Sequence, residues 1–272
     1  MQSKTLKINK KGDLVYITFP KLQAVNTVRH TFSTRLGGVS DGQYSSMNLS
    51  FNNGDNRQDV IKNYEIICSA VGINTENLVL THQTHTNNVI AVDENHRGTG
   101  FSKPSFQDVD GLITDCRGVA LVIQFADCTP LIFCDPVKRV IASSHSGWRG
   151  TVKQIGAVTI EKMVNDFGCK AENIIAAIGP SIGNCCYEVD EPVFDSFSKM
   201  ELDMSAAFQK CRKDHWKLDL KMANKIILIN SGIKEENIDV ADICTCCNSH
   251  EFHSHRATAG KRGNLAAIIE IK

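Results

Sequence analysis

The 272-residue sequence lacks several signals that would point to a partner or a compartment. Its 30 basic and 30 acidic residues cancel, so bulk charge gives no support for a nucleic-acid or membrane partner. No apolar run approaches the roughly 18 residues of a membrane span. The N-terminal stretch through Phe19 has no apolar core of a secretory signal. We therefore expect a cytoplasmic protein without nucleic-acid or membrane partners.

Common enzyme motifs are missing as well. The sequence contains no Gly-x-Gly-x-x-Gly after a strand, no phosphate-binding P-loop and no Gly-x-Ser-x-Gly elbow. These absences leave the usual dinucleotide, nucleotide triphosphate and serine hydrolase sites unsupported. The six prolines are scattered, and no repeat or linker is visible. A single domain over residues 1–272 is the simplest interpretation.

Cysteine, by contrast, is abundant. Eleven cysteines cannot all pair within one chain, and a reducing cytosol disfavours disulfides. We expect most of them to be small buried apolar residues and a few to be available for metal.

Apolar periodicity predicts strands and helices in irregular order. This order favours an α/β fold of layered, mixed sheets over a doubly wound parallel sheet. The stretch His30–Ser50 is rich in Ser, Gly and Asn and predicts a long loop. The predicted strands are Leu14–Thr18, Val89–Val92, Gly118–Ala126, Pro130–Cys134, Val140–Ser143, Ile174–Ile178, Ile238–Ile243 and Leu265–Ile271. The predicted helices are Arg57–Val71 capped by Asp55 or Asn56, Thr151–Phe167 stopped by Gly168, Glu191–Met200 and Asp219–Ile233.

Three polar spots interrupt apolar surroundings. They are "THQTHTNNV" with His82, Gln83 and His85, "FADCTPLIF" with Asp127 and Cys128, and "SSHSGWRG" with His145. Two imidazoles and a thiolate would form a three-ligand zinc set that leaves one position open, as catalytic zinc requires. Taken singly, a cysteine after a strand is more often a core residue, and a histidine at a strand end is more often only hydrogen-bonded.

Further candidates are less specific. The segment "CTCCNSHEFHSHR" holds Cys244, Cys246, Cys247, His250, His253 and His255. Its spacing fits no standard zinc finger, so a second metal site and a reduced, partly buried loop both remain open. Arg35, Arg149 and Arg256 lie in polar or Gly-containing segments, where arginine often holds phosphate. A surface salt bridge is the equally weighted alternative for each.

A histidine count limits copper chemistry. Multicopper oxidases need about ten histidines, mostly in His-x-His pairs. The chain has nine histidines and one such pair, His253-Ser-His255. It cannot build that set of centres, although a single Cu²⁺ at the His/His/Cys site remains conceivable.

Ordered blocks of the sequence resemble the YfiH-type family, long named laccase-domain or polyphenol oxidase proteins. The blocks run from about His30 to Ile271 and are "FSTRLGGVS", "MNLS", "THQTHTNNV", "DVDGLIT", "ADCTPLIFCDP", "SHSGWRG", "IGPSIGNCCYEV", "CT" and "SHRATAGKRGNLAAII". The chain departs from the family at Ser254-His255-Arg256, where Ser-Tyr-Arg is common, and in its extra cysteines and histidines from Cys246 to His253.

The resemblance implies a layered α/β/β/α fold and zinc held by His85, Cys128 and His145, with His82 outside the ligand position. It also implies a purine nucleoside phosphorylase acting on adenosine, inosine and methylthioadenosine, with adenosine deaminase activity. For this chemistry we expect Asp127 to move protons, Arg149 to face an anionic substrate with Arg35 and Arg256, and Asn48 and Gln83 to orient the substrate.

Three other functions stay open at this stage. They are a copper-dependent polyphenol oxidoreductase, a non-catalytic metal-binding protein, and a hydrolase using the Cys128 thiol with His145. The sequence is compatible with either a monomer or a homodimer.

Overall fold

The computed structural model describes residues 3–272; Met1 and Gln2, which the single-domain and leader predictions include, lie outside the described residues. Within this range the helices are α1 (Pro20–Ala24), α2 (Arg57–Val71), α3 (Trp148–Val152), α4 (Ile155–Phe167), α5 (Glu191–Ser198), α6 (Leu220–Asn230) and α7 (His255–Thr258). The strands are β1 (Lys7–Lys11), β2 (Leu14–Thr18), β3 (Val28–Ser33), β4 (Leu78–Val79), β5 (Thr81–His82), β6 (Val89–Ala91), β7 (Phe106–Gln107), β8 (Gly111–Thr114), β9 (Ala120–Phe125), β10 (Thr129–Asp135), β11 (Val140–Ser146), β12 (Ile175–Ile178), β13 (Glu188–Asp190), β14 (Phe208–Arg212), β15 (His215–Leu218), β16 (Ile238–Val240) and β17 (Leu265–Ile271).

Two six-stranded sheets form the centre of the molecule. The first has the order β1-β2-β3-β17-β9-β4, and the second has the order β16-β12-β10-β11-β8-β6. Both are mixed, since β4 pairs parallel with β9, β12 with β16 and β6 with β8, whereas the other neighbours are antiparallel. The predicted mixed-sheet architecture is therefore confirmed.

The two sheets pack face to face over the main core. Phe32, Leu121 and Ile269 of the first sheet meet Ile132 and Ile141 of the second in one buried cluster. Alternate residues of the same strands point the other way, because side chains along a strand alternate between the two faces. Both faces are buried, which explains why these strands are nearly continuous apolar runs.

Helices cover the two outer faces. Val60, Tyr64 and Ile67 of α2 pack on the outer face of the first sheet, against Val122 and Ile268. Residues of α4 and α6, among them Ile160, Met163 and Leu228, pack on the second sheet. The resulting order is α2, sheet, sheet, then α4 with α6, which is the expected α/β/β/α layering.

A smaller unit lies beside the second sheet. The strands β13, β15 and β14 form a three-stranded antiparallel sheet. Phe197 of α5, Leu218 of β15 and Ala223 of α6 share its core with Trp148 and Tyr187. None of the three strands was predicted, because they are short and mostly polar and show no clear alternation of apolar residues.

Two predictions from the sequence were wrong. The predicted loop His30–Ser50 begins inside a strand, since β3 extends to Ser33. His30 is buried there and accepts a hydrogen bond from the Phe19 backbone (2.8 Å), which satisfies a polar residue in the core. The predicted helix Thr151–Phe167 is broken at Gln154, whose left-handed φ of 55° separates α3 from α4.

The other predicted elements are confirmed, three with the predicted bounds and the rest with shifted ends. Strands Leu14–Thr18 and Leu265–Ile271 match fully, and Arg57–Val71 is a helix capped by the Asn56 side chain and closed by left-handed Gly72. Among residues 3–272, no helix combines the length and the apolar character needed to cross a bilayer.

Candidate metal centre and its two cavities

Three segments distant in sequence bring His85, Cys128 and His145 together. His85 follows β5, Cys128 lies between β9 and β10, and His145 is near the end of β11. The potential ligand atoms of the three residues all lie within 4.8 Å of one another. The Cys128 Sγ is 3.7 Å from His85 Nε2, and the two imidazole rings have centroids 4.9 Å apart. The constellation predicted from the sequence is therefore present in the fold.

Sheet register and one glycine set this geometry. Antiparallel pairing of β10 and β11 places Pro130 opposite His145, so that Cys128 emerges at the same end of the hairpin. A Cβ added to Gly147 would lie 2.8 Å from His85 Cδ2 and 2.9 Å from Cys128 Sγ. Only glycine leaves the space for this approach.

Asp110 organises two of the three ligands from the position before β8. Its Oδ1 accepts hydrogen bonds from His145 Nδ1 (2.8 Å) and the His85 backbone N–H (3.0 Å). Its Oδ2 accepts from the backbone N–H groups of Thr84 (3.1 Å) and Thr86 (2.8 Å) and from the Thr86 hydroxyl (2.8 Å). Burial would raise the pKa of Asp110, but the bonds from His145 and Thr86 outweigh it and hold that pKa well below its usual range.

The electrostatics of the metal-free chain favour a thiolate. Burial would raise the pKa of Cys128, yet the imidazoles of His145 and His85 lower that pKa to about 6. Burial would lower the pKa of His145, yet Cys128 and Asp110 raise it to about 9. The buried thiol and imidazole thus stabilise each other as an ion pair.

The donor set fits a metal ion. With Nδ1 of His145 bonded to Asp110, its Nε2 is left to face the thiolate, and a carboxylate-supported histidine is a common metal ligand. Two imidazole nitrogens and one thiolate suit zinc, and also copper, with one position open for a further ligand. The fold therefore brings together three side chains that could hold a metal ion.

Two cavities meet at these residues. A cavity of about 280 Å³ is lined by His85, Cys128 and His145 on one side and by amide-bearing side chains on the other, including Asn52, Asn53, Gln83, Gln124 and Asn264. A second cavity of about 360 Å³ is lined by His85, Asp127 and Cys128 together with Trp148, Arg149, Tyr187, Arg256 and Arg262. Small molecules could reach the ligands from both sides.

Asp127 lies at the second cavity in a strained left-handed conformation, φ 82°. Its carboxylate accepts hydrogen bonds from the Thr245 hydroxyl (2.6 Å), the Ser254 hydroxyl (3.0 Å) and the Arg256 backbone N–H (2.7 Å). Both oxygens are therefore engaged in holding two C-terminal loops beside the site. This geometry suits a positioning residue at least as well as the predicted proton carrier.

Three of the predicted substrate residues line the cavities. Arg149 and Arg256 are exposed and lie over the rings of Trp148 (4.2 Å) and Tyr187 (5.2 Å) respectively. The side chain of Gln83 donates to the Gln124 carbonyl and accepts from the Gln124 N–H, so its amide is paired with the strand behind it.

The other two predicted substrate residues, Asn48 and Arg35, lie outside both cavities. The buried Asn48 amide bonds Asp55 Oδ2 (2.8 Å) and accepts from the Asn264 backbone (2.8 Å), within a loop network. The Arg35 guanidinium donates to the carbonyls of Ser45 and Ser249. Neither residue is among those lining the two cavities. Both tie the long N-terminal loop to its neighbours.

Arg262 is a candidate that sequence reasoning missed. It is the arginine that lines both cavities, and burial lowers its pKa although Asp127 and Cys128 oppose this effect. Within residues 3–272, its Nε and the Nδ1 of His82 are buried atoms with no hydrogen-bond partner in the chain. Its place in the glycine-flanked "GKRGN" stretch was the available signal.

The predicted C-terminal cluster is only partly assembled. Cys244 and Cys247 converge with Cys185 and Cys186. The other members of the predicted cluster belong to neither group of potential metal ligands found among the described residues; they are Cys246, His250, His253 and His255. His253 is fully buried, and burial near Arg35 and Arg262 lowers its pKa to about 3.

Comparison with known proteins identifies the family of the chain. A model of the family described as "Multi-copper polyphenol oxidoreductase laccase" matches residues 29–272. The chain belongs to the YfiH-type laccase-domain family. It is 37% identical over 243 residues to "Purine nucleoside phosphorylase YlmD" of Bacillus subtilis (strain 168), covering 89% of this chain and 87% of that protein.

Two further relatives place the chain within this laccase-domain family. It is 32% identical over 249 residues to "Adenosine deaminase RL5" of an unknown prokaryotic organism, covering 88% of this chain and 94% of that protein. The crystal structure of the Bacillus licheniformis hypothetical protein YfiH superposes with a TM-score of 0.93 at 30% identity, covering 99% of this chain and 100% of that one.

Proposed function

We propose that the chain is a zinc-dependent purine nucleoside phosphorylase with adenosine deaminase activity. Adenosine, inosine and methylthioadenosine are its proposed substrates, with free base and ribose 1-phosphate as products. The observation that carries the proposal is the His85, Cys128 and His145 group at the junction of two cavities, one of which is rich in arginine. Similarity to relatives named for both activities supports the same conclusion.

The arginines identify the cavity for phosphate. Arg149, Arg256 and Arg262 line the 360 Å³ cavity. Guanidinium groups bind phosphate oxygens in pairs and stay charged. Arg262 reaches both cavities, so it would contact the phosphate at the side that faces the nucleoside.

The amide-lined cavity then takes the nucleoside. Its asparagine and glutamine side chains offer both donors and acceptors, which suit ribose hydroxyls and a purine edge. His82 and Arg262 also line this cavity, and each has one buried nitrogen, Nδ1 and Nε respectively, without a hydrogen-bond partner among the described residues.

This placement fits the geometry of phosphorolysis. A phosphate oxygen forms a bond to the sugar C1′ while the bond from C1′ to the purine nitrogen breaks and its electron pair leaves with the base. The attacking and leaving groups lie on opposite faces of C1′, and two cavities that share His85, Cys128 and Arg262 offer phosphate and nucleoside separate places beside the same residues. His85, Cys128 and His145 would hold zinc at the junction, where the ion supplies Lewis acidity. Asp127 keeps the loop of Arg256 in position through its hydrogen bonds.

The direct test is product analysis with and without phosphate. Purified zinc-loaded chain is incubated with inosine or adenosine, and base, ribose 1-phosphate and ammonia are separated and quantified. We expect base release to require phosphate and ammonia release from adenosine not to require it. Base release at the same rate with and without phosphate would contradict phosphorolysis. Oxidation of a phenolic dye by the copper-loaded chain, without nucleoside turnover, would favour the oxidoreductase alternative instead.

Arg262→Gln probes the phosphate site. Loss of one charge-assisted contact raises the KM for phosphate by about tenfold or more, because such bonds contribute roughly 1.5–3 kcal/mol. Arg117→Gln, an exposed arginine outside the cavities, serves as the matched control. An unchanged phosphate KM in Arg262→Gln would remove this residue from the phosphate site.

A further inference from the structure

A second group of thiols lies outside the candidate metal centre. Cys185 and Cys186 belong to the turn that follows β12, and Cys244 and Cys247 to the turn that follows β16. An isolated bridge between Ser181 and Cys244 and a hydrogen bond from the Thr245 N–H to the Ser181 carbonyl (3.0 Å) join the two turns. The four sulfur atoms all lie within 4.8 Å of one another.

The spacing of the sulfurs suits one metal ion. Cys247 Sγ is 3.4 Å from Cys185 Sγ and 3.3 Å from Cys186 Sγ. Thiolates around a tetrahedral zinc, at about 2.3 Å from the ion, are about 3.8 Å apart. A cluster of several iron atoms would spread its thiolates over a larger distance than this group allows. All eleven cysteines are free in the structure, so no disulfide competes for these sulfurs.

Backbone donors are arranged as in a thiolate site. Cys244 Sγ accepts hydrogen bonds from the N–H groups of Gly183 (3.1 Å) and Cys247 (3.5 Å). Such bonds stabilise the charged form of the sulfur. The Cys-x-x-Cys spacing of Cys244 and Cys247 is typical of zinc ligands. A Cβ at Gly183 would lie 3.2 Å from Cys185 Sγ, so this position favours glycine.

The surroundings offer matching positive charge. Four thiolates around a divalent ion carry two net negative charges. Lys221 is nine-tenths buried, donates to the Ile243 carbonyl (2.9 Å) and lines a 440 Å³ cleft together with Cys185, Cys244 and Lys225. A buried ammonium beside the thiols lowers the cost of collecting their charge.

We propose that Cys185, Cys186, Cys244 and Cys247 bind one thiophilic divalent cation, best matched by zinc, in a site separate from His85, Cys128 and His145. Four protein ligands close the coordination sphere, which is the arrangement of a structural ion. The ion would clamp two turns that hydrogen-bond to Asp127 and Arg256, which line the arginine-rich cavity. Thr245 donates to Asp127 (2.6 Å), and the Arg256 guanidinium donates to the Cys186 carbonyl (3.0 Å).

Metal stoichiometry tests the site without any activity assay. The full chain is prepared under reducing conditions with zinc supplied, and zinc per chain is measured by elemental mass spectrometry. We expect two equivalents in the wild type, one in Cys247→Ser, one in Cys128→Ser and none in the double variant. Cys211→Ser, an exposed cysteine of β14, and Cys246→Ser, next to the proposed ligand, should both retain two.

A second experiment uses the wild-type chain, so that it does not depend on the folding of a variant, and measures how far zinc protects cysteines from alkylation. Iodoacetamide labelling is followed by peptide mapping, with zinc bound and after removal by a chelator. We expect zinc to protect the four cysteines and the chelator to expose them. Equal labelling in both states, a disulfide between the two turns, or two zinc equivalents retained in Cys247→Ser would each overturn the proposal. Loss of the second ion in Cys246→Ser but not in Cys247→Ser would overturn the ligand assignment. Because the readout is bound metal, the result stands apart from whether the chain phosphorolyses nucleosides.

Discussion

Replacing Asp110 by Asn should damage both the fold and the metal centre. The fully buried carboxylate accepts five hydrogen bonds, two at Oδ1 and three at Oδ2. An Asn side chain keeps one acceptor oxygen and turns the other into a donor. Whichever way the amide lies, its NH₂ faces two N–H groups: those of Thr84 and Thr86, or those of His85 and His145. The Thr86 hydroxyl can rotate to accept a hydrogen bond.

The magnitude follows from this count. Each buried N–H left without an acceptor costs about 1–3 kcal/mol, so two of them lower the free energy of unfolding by about 2–6 kcal/mol. In the orientation whose NH₂ faces His85 and His145, the His145 ring also loses the acceptor that holds its Nδ1. Loss of such an outer partner lowers metal affinity by about 10- to 100-fold.

Two assays read these effects. Urea unfolding of the metal-free chain gives the free energy of unfolding, and titration against a chromophoric chelator gives the Kd for zinc. Asp166→Asn, on the exposed face of α4, is the control and should change neither quantity by much. An Asp110→Asn chain that unfolds within 1 kcal/mol of wild type and binds zinc equally well would refute the organising role assigned to Asp110.

Three further predictions concern the site and the fold. Gly147→Ala should keep the fold, because the glycine has an ordinary φ of −70°. The added methyl would lie 2.8 Å from His85 Cδ2, so we expect a normal circular dichroism spectrum with greatly reduced zinc content at that centre. Unchanged zinc content would contradict the argument that only glycine allows this close approach. Asn56→Ala removes the side-chain cap of α2 and should lower the free energy of unfolding by about 1 kcal/mol, whereas Asn56→Asp, measured by the same urea unfolding, should retain most of it. Phe32→Ala leaves a cavity at a fully buried position between Phe19 and Phe125, whose ring centroids lie 5.0 and 6.5 Å from that of Phe32. We expect the free energy of unfolding, measured by urea unfolding, to fall by about 3–5 kcal/mol. A decrease below 1 kcal/mol would mean that the two sheets move together to fill the cavity.

Most helices and strands could be predicted because the apolar spacing and the capping residues that mark them lie within each element or next to it. The apolar runs of β9, β10 and β11 are buried on both faces, so each run stands out in sequence. The cap and stop of α2 are also local, since Asn56 and Gly72 act on their own helix. The strands β14 and β15 were not predicted because their side chains, exposed in β14 and half-buried in most of β15, do not alternate between apolar and polar. The break at Gln154 was not predicted because no glycine or proline occupies that position.

The sequence by itself determined the layered α/β fold and the family, and it predicted that His85, Cys128 and His145 come together. The spacing of apolar residues indicates which side chains are buried, and motif blocks in a fixed order indicate the family. Tertiary structure alone decided that Asp110 supports His145, that Asn48 and Arg35 bind loops rather than line the cavities, and that Arg262 reaches both cavities. It also decided that Cys185 and Cys186 join Cys244 and Cys247, although Cys186 and Cys247, whose sulfurs are 3.3 Å apart, are separated by 61 positions in the sequence. These roles depend on distances between side chains from remote segments, and strand register sets those distances only when the sheets are assembled.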